Sequence, residues 1–323
     1  MENKYISVII PAYKVEKHIK HVIEGIPDFV KTIIVVNDAS PDSTGLILSE
    51  ISDPRLVVLT HENNQGVGGA MKTGYNHAVS LGSQIMVKMD GDDQMDPNKL
   101  LELISPIINL ESDFTKGNRF LHLSQIKNMP FVRRLGNLGL TFLVKVASGY
   151  WQIFDPTNGF TAMHRSVWTN IDKSRIANDY FFETSLLIAM RHIGAVIKDV
   201  YIPARYQDEE SSLSIRRVLF SFPGRLLKAT TRRVIFQYYL YNFTFGSLAL
   251  ILGIIFILFG IIWGLFYWNE SRISGVPATT GTVLIAVLPI ILGVQLLLQF
   301  ISQDMNDIPE KPLQLFSRKD ENL

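Results

Sequence analysis

The stretch Asp90-Gly91-Asp92-Asp93-Gln94-Met95-Asp96-Pro97 holds the densest chemistry in the chain. Its carboxylates follow directly on the apolar run Ile85 to Met89, which reads as a short buried strand. Pro97 then opens a helical stretch, a place that suits proline because an N–H there has no helical partner anyway. Carboxylates crowded at a strand end repel one another and call for positive charge nearby. A hard divalent cation fits, because Mg2+ takes one or two carboxylates and completes its shell with water and phosphate oxygens. An isolated Asp-x-Asp is more often a solvated acidic turn, but its position after a buried strand favours a ligand site.

Such a site needs a rigid frame. Tyr5 to Ala12, Lys31 to Val36 and Leu56 to Leu59 read as buried strands, with helices expected at about Glu16 to Glu24 and, capped by Asp42 or Ser43, up to about Ser52. Strands and helices alternating at this spacing predict a parallel sheet with right-handed crossovers. Ligands of such sheets bind beyond the carboxyl ends of the strands, so Asp38 and the Asp90 cluster can face one site. The glycine run Gln65-Gly66-Val67-Gly68-Gly69-Ala70 fits neither a Walker loop nor a dinucleotide fingerprint, because Met71 stands where each needs another residue. It reads as a tight turn with close helix–strand packing, or as a lining for a ligand.

Further strands are expected from Phe114 to Arg119 and from Ala195 to Tyr201, with a turn at Asp155 to Phe160 before a short strand. Asn178 and Asp179 are placed to cap a helix from Tyr180 to about Ile193, on which Glu183 is one acid among apolar residues. Phe131 to Ala147 is an apolar helix with Arg133, Arg134 and Lys145 and no acid. It lies either in a membrane surface, its basic residues near lipid phosphates, or in the core with snorkelling arginines.

A chain of 323 residues has room for one large domain and an appendage, and its net charge of +1 argues against a nucleic-acid partner. The absence of cysteine excludes disulfides and thiolate metal sites. The apolar part of the N-terminus is too short for a signal peptide. Phe243 to Trp268 and roughly Thr279 to Ile301 are uncharged apolar runs, each long enough to span a bilayer, which takes about 20 residues. Tyr238, Tyr239, Tyr241, Trp263, Tyr267 and Trp268 bracket the first run as interfacial aromatics do. The flank before it carries Arg216, Arg217, Arg225, Lys228, Arg232 and Arg233 with no acid, which places that flank and the N-terminal domain in the cytoplasm. The expected organisation is a cytoplasmic domain over 1–212, a basic juxtamembrane segment over 213–242, two transmembrane helices over 243–301 and a cytoplasmic tail over 302–323. Gly253 and Gly260 offer small contact points for self-association into a homo-oligomer.

Taken in order, Ile10-Pro11-Ala12-Tyr13, Val36-Asn37-Asp38-Ala39-Ser40-Pro41-Asp42, Asn64 to Ala70, Asp90-Gly91-Asp92-Asp93-Gln94 and Asp155-Pro156-Thr157-Asn158-Gly159-Phe160 resemble the family 2 glycosyltransferases. The Asp-x-Asp-x-Gln and Asp-Pro-Thr-x-Gly-Phe forms are similar to the polyprenyl-phosphate branch, with dolichyl-phosphate mannose synthases and bacterial glucosyl-carrier enzymes. The resemblance implies an α/β fold, the nucleotide-sugar glycosyltransferase A-type fold with a mostly parallel central sheet. It implies transfer of a sugar from a nucleotide diphosphate sugar to a polyprenyl phosphate at the inner, cytoplasmic membrane, with inversion at the anomeric carbon. A polysaccharide acceptor, or a non-catalytic scaffold, are the other readings.

On this resemblance Pro11, Ala12, Tyr13, Glu16, Asp38, Asp90, Gly91, Asp92 and Arg205 bind the donor. Asp92 and Gln94 ligate Mg2+ or Mn2+, and Arg119, Arg133 and Asn137 meet the acceptor phosphate. The catalytic set is Asp92, Arg119, Arg133, Arg134 and Asp155. Two departures stand out: Lys14-Val15 replace the usual Asn-Glu after the tyrosine, and the loop after Arg205 lacks the glycine and lysine that close over donor phosphates in relatives.

Overall fold

Short apolar runs that can be buried on both faces assemble into one mixed sheet. The computed structural model describes residues 5–118, 131–156, 158–202 and 215–316; the side chains of 131–135, 137 and 215–221 fall outside that description. The strands are β1 (Ile6–Ala12), β2 (Thr32–Asn37), β3 (Leu56–Thr60), β4 (Ile85–Lys88), β5 (Phe114–Asn118), β6 (Thr161–His164) and β7 (Ile197–Tyr201). The helices are α1 (Ile19–Glu24), α2 (Thr44–Glu50), α3 (Val67–Ser80), α4 (Leu100–Ile108), α5 (Phe131–Ser148), α6 (Arg165–Asn170), α7 (Phe182–His192), α8 (Ile215–Ile235), α9 (Phe245–Ser274) and α10 (Thr280–Asn306).

The strand order is β3-β2-β1-β4-β6-β5-β7. Every pairing is parallel except those of β6, which runs antiparallel to both β4 and β5. The sheet is therefore mostly parallel, and it has the glycosyltransferase A-type architecture that the resemblance implies. β1, β2 and β4 are buried almost throughout, which is why they read as unbroken apolar runs. One face of the sheet packs Met71 and Tyr75 of α3, Val144 of α5, Trp168 of α6, Phe182 of α7 and Leu226 of α8. The other packs Ile19 and Val22 of α1, Leu48 of α2, and Leu100, Leu103 and Ile104 of α4.

The chain folds into two compact units, Met1–Thr230 with Pro309–Leu323, and Thr231–Ile308. The returning segment of the first unit is held by a buried carboxylate: Asp113 accepts N–H bonds from Val196 (2.9 Å), Leu313 (2.9 Å) and Gln314 (3.1 Å). The Gln314 side chain donates to the carbonyls of Ile107 and Ser112, so this docking satisfies polar groups on both partners.

In the second unit α9 and α10 run antiparallel, since Gly253 meets Gly293 and Leu297 while Gly260 meets Ala286 and Ile290. A Cβ on Gly253, Gly260 or Gly293 would intrude on the facing helix. The two glycines that the sequence offered for contact between copies are thus occupied within one chain. The outward faces remain apolar and exposed, with Ile255, Ile262 and Phe266 on α9 and Leu284, Leu288 and Ile291 on α10. Both helices are long and apolar enough to cross a membrane.

At one end of this hairpin Arg233, 2% exposed, grips Asp304, 3% exposed, through two bonds of 2.6 and 3.0 Å. The Tyr238 hydroxyl donates to the same carboxylate at 2.8 Å from a turn of π-helix, Phe236–Tyr241. Breaking a buried ion pair leaves one charge uncompensated and costs about 3–5 kcal/mol. Asp304→Ala is therefore expected to lower the thermal midpoint of the full chain in detergent by many degrees, while Arg233→Leu/Asp304→Leu recovers much of the loss. Equal melting of Asp304→Ala and the native chain would contradict a buried pair.

Candidate active site

The carboxyl ends of β1, β2 and β4 bring three loops together, and each bends where L-residues rarely go. Lys14 after β1 (φ 57°), Ala39 after β2 (φ 52°) and Asp93 after β4 (φ 61°) are three of the four non-glycine residues with positive φ among the described residues. Backbone strain of about 1–3 kcal/mol per residue persists where surrounding bonds enforce it, and here they do. Lys14 N–H donates to Ser40 Oγ (2.7 Å), which donates to Asp42 Oδ1 (2.5 Å). Asp42 also accepts from the Thr44 N–H, while Glu16 accepts from the Ser43 N–H at 2.9 Å. Burial pushes the Asp42 carboxyl up, but its bonds from Ser40, Thr44 and Glu16 outweigh this and hold it below the ordinary value. Asp42 and Glu16 thus stitch the first two loops into a single rim, with Tyr13 exposed on it and Pro11 and Ala12 at its base.

Asp38 is buried. Its carboxylate accepts the N–H groups of Gln65 and Gly66, each at 2.8 Å, and pairs with His61 Nδ1 at 2.7 Å. The next N–H groups, of Gly68 and Gly69, donate to the Asn178 carbonyl. Four N–H groups of the glycine run therefore point into the protein. A Cβ on Gly68 would collide with the Ala177 carbonyl. Close packing, not a phosphate cradle, explains these glycines, and Asp38 holds the loop that leads into them.

The four carboxylates after β4 have separate fates. Asp90 pairs with Lys88 at 2.6 Å. Asp93 is buried and lies 3.7 Å from His21 Nε2. Asp96 caps the 3-10 turn Pro97–Lys99 by accepting from the Asn98 N–H. Asp92 and Gln94 stay half-buried, tied by a 3.2 Å bond from the Gln94 N–H to Asp92 Oδ1. No cluster of three or more His, Asp or Glu side chains forms a ready metal cage among the described residues. One carboxylate and one amide carbonyl are hard oxygen donors, and they fit Mg2+ or Mn2+, which would draw its other ligands from water and phosphate. Gly91 is buried against Val15 and Ile19, where a side chain would be crowded.

Beneath the loop that precedes β6 runs a polar row that the sequence did not reveal. Register aligns Lys88 of β4 with Thr161 of β6, Lys116 of β5 and Asp199 of β7. Lys116 donates to the Asn158 carbonyl, Asn158 Nδ2 donates to the Gly117 carbonyl at 2.7 Å, and Asp155 is fully buried nearby. Burial pushes the Lys116 amine down to about 8, against the pull of Glu183 and Asp155. Asp155 belongs to this buried layer, which pins the loop from below. The signal missed was a lysine inside each of two buried strands, since lysine is almost never fully buried without a partner.

Arg119, Thr157 and Arg205 lie outside the described residues, as do the side chains of Arg133, Arg134, Asn137, Arg216 and Arg217. α5, which carries Arg133 and Arg134, buries Val144 and Ala147 in the core and exposes Leu138, Phe142 and Leu143. The helix thus has one face in the core and one apolar face exposed. Asp179 meets the start of α7, because its Oδ1 accepts the N–H of the N-cap residue Phe181 at 3.1 Å and its carbonyl accepts that of Phe182. Its other carboxylate oxygen accepts from Arg225 at 2.8 Å, and the Asn178 side chain accepts from Lys72 at 2.7 Å.

The family model described as Glycosyl transferase family 2 matches residues 7–171. The UDP-N-acetylglucosamine–dolichyl-phosphate N-acetylglucosaminyltransferase of Methanococcus voltae is 34% identical over 223 residues, covering 62% of this chain and 88% of that relative. The polyprenol monophosphomannose synthase of Mycolicibacterium smegmatis is 28% identical over 217 residues, covering 64% of this chain and 79% of that one. Among solved structures, glucosyl-3-phosphoglycerate synthase of M. tuberculosis has a TM-score of 0.51 at 21% identity, covering 72% of this chain and 81% of that chain, a likeness of fold alone.

Replacing Asp38 tests the bracket directly. Asp38→Ala leaves the Gln65 and Gly66 N–H groups without their acceptor, at about 1–3 kcal/mol for a buried unsatisfied group. The thermal midpoint should fall and amide exchange at Gln65 and Gly66 should quicken. Unchanged protection there would mean that the carboxylate does not hold the loop.

Proposed function

The chain belongs to glycosyltransferase family 2, and from that premise we propose that it moves a sugar from a nucleotide diphosphate sugar to a polyprenyl phosphate at a membrane surface. One observation carries the reading: the chain that sets Asp92 and Gln94 at the end of β4 also carries two helices whose outward faces suit lipid rather than water. The relatives named for dolichyl phosphate and polyprenol support the acceptor class. A polyprenyl tail does not dissolve in water, so its phosphate has to be met at the bilayer. The exposed Leu138, Phe142 and Leu143 of α5 suit contact with that surface.

Topology agrees with a catalytic unit on the cytoplasmic side. Within the second unit α9 and α10 pack antiparallel, so the hairpin begins and ends on the same side. Basic residues Arg225, Lys228, Arg232 and Arg233 precede the first crossing, as cytoplasmic flanks do. With Gly253 and Gly260 committed to α9–α10 packing, self-association would need another surface.

In the proposed reaction a phosphate oxygen of the acceptor attacks the anomeric carbon. The bond from that carbon to the donor diphosphate breaks, and its electron pair leaves with the nucleoside diphosphate. A phosphate monoester has a second pKa of about 6, so the nucleophile is already ionised and no strong base is needed. The difficulty is that two anions must meet. Asp92 and Gln94 would hold Mg2+ or Mn2+, which when bound supplies charge neutralisation and Lewis acidity at the leaving diphosphate. Arg119 and Arg133, with Arg134 as its neighbour and Asn137 one turn on, would hold the acceptor phosphate, as guanidinium does bidentately. The rim from Pro11 to Glu16, Gly91 and the loop held by Asp38 would seat the nucleotide, and Arg205 would meet its phosphates.

Membranes containing the chain, incubated with a panel of labelled uridine and guanosine diphosphate sugars, should pass label from one of them into an organic extract. Label appearing in an aqueous polymer with no lipid product would favour a polysaccharide acceptor instead. Asp92→Ala is expected to abolish transfer in a folded protein, and full activity of that variant with metal present would refute its role. Arg133→Ala should raise the acceptor KM far more than the donor KM; equal effects would remove it from the acceptor site.

A further inference from the structure

Lys88 is 2% exposed in the middle of the sheet, yet it keeps two anionic partners. Its Nζ lies 2.6 Å from Asp90 Oδ1 and 3.3 Å from Glu183 Oε1. Burial works against its charge, but Asp90 and Glu183 outweigh it and push the ammonium above its ordinary value. The two carboxylates differ in surroundings. Glu183, on α7, is 18% exposed and is the more buried of the two, while Asp90, at the end of β4, is 32% exposed and the outer one. A buried cation that joins one inner acid to one outer acid is a way to fix the outer one.

Gly159 supports the same reading from the opposite side. A Cβ there would overlap both Lys88 Nζ and Asp90 Oδ2, and Gly159 is not among the residues with positive φ. The glycine is required by the ion pair and not by its own backbone. Lys88, Asp90, Gly159 and Glu183 come from β4, the loop after it, the loop before β6, and α7, so four segments meet at one ammonium.

We propose that Lys88 and Glu183 are positioning residues for the nucleotide-sugar donor: Lys88 fixes the Asp90 carboxylate at the mouth of the site, and Glu183 fixes Lys88. This rests on the proposed reading that Asp90 faces the donor. It gives Glu183 a task other than that of a general base. It also gives the site an internal cation, so that Asp90 does not repel an incoming diphosphate with a full charge.

The test uses the full chain in detergent with the diphosphate sugar that the native protein turns over from the uridine and guanosine panel. Failure of the native chain on every donor would defeat the underlying function, whereas a working native chain isolates the present claim. Lys88→Met should raise the donor KM about tenfold or more, the size expected for losing a hydrogen bond between charged groups, and leave the acceptor KM unchanged. Gly159→Ala, which wedges the pair apart with every charge kept, should do the same. Glu183→Gln should raise the donor KM in the native background but add little to Lys88→Met, because it acts through the lysine. Lys88→Met/Glu183→Gln restores the charge balance and keeps the test alive should Lys88→Met alone fail to fold. An unchanged donor KM in Gly159→Ala and in the double variant would overturn the proposal. So would a Glu183→Gln effect that falls on kcat, changes the pH profile and persists undiminished in the Lys88→Met background, since that is the signature of a base.

Discussion

Like charges gathered at the end of one buried strand govern the rest of this structure. Two unit charges 4 Å apart interact by about 1 kcal/mol in water and about 4 kcal/mol near a protein surface, and the proposed diphosphate donor would add further negative charge there. The fold answers by giving each carboxylate after β4 its own partner. Asp90 has the buried Lys88, Asp93 turns towards His21, and Asp96 is used up in a cap. Asp92 is tied to Gln94, and these two are the oxygen donors proposed for a divalent cation. This division of labour requires β4 to be central, because a lysine placed below the surface needs α7 on one side and the loop before β6 on the other.

The same logic shapes the neighbouring loops. Asp38 and Asn178 absorb the N–H groups of the glycine run, so α3 can start close against the chain before α7. Asp42 and Glu16 close the rim across the first two loops. In each case a carboxylate near the site satisfies backbone donors, which keeps it from adding unbalanced charge to the cleft.

Much of the frame was readable because β1, β2 and β4 are buried on both faces and leave unbroken apolar runs in the sequence. The acidic motif was readable because its residues are local. What escaped was long-range. The antiparallel β6 is four residues long, too short for any period to declare its direction. The partners of Lys88 and Lys116, among them Glu183 and Asn158, lie far along the chain, so nothing local marked either lysine. The glycine run could not be assigned from composition, since whether its N–H groups point inward or outward depends on Asn178. Gly253 and Gly260 were read as contacts between copies, while their true partners on α10 lie in the same chain.

The account comes down to an acidic strand end that accepts an anionic donor with the help of a divalent ion. Calorimetric titration of uridine and guanosine diphosphate into the full chain, with Mn2+ and then with EDTA, tests this most directly. One of the two nucleotides should bind with Mn2+ and lose most of its affinity when the metal is removed. Equal affinity in EDTA would contradict the account, because the carboxylates after β4 would then be tolerating the diphosphate without the cation that Asp92 and Gln94 are proposed to hold.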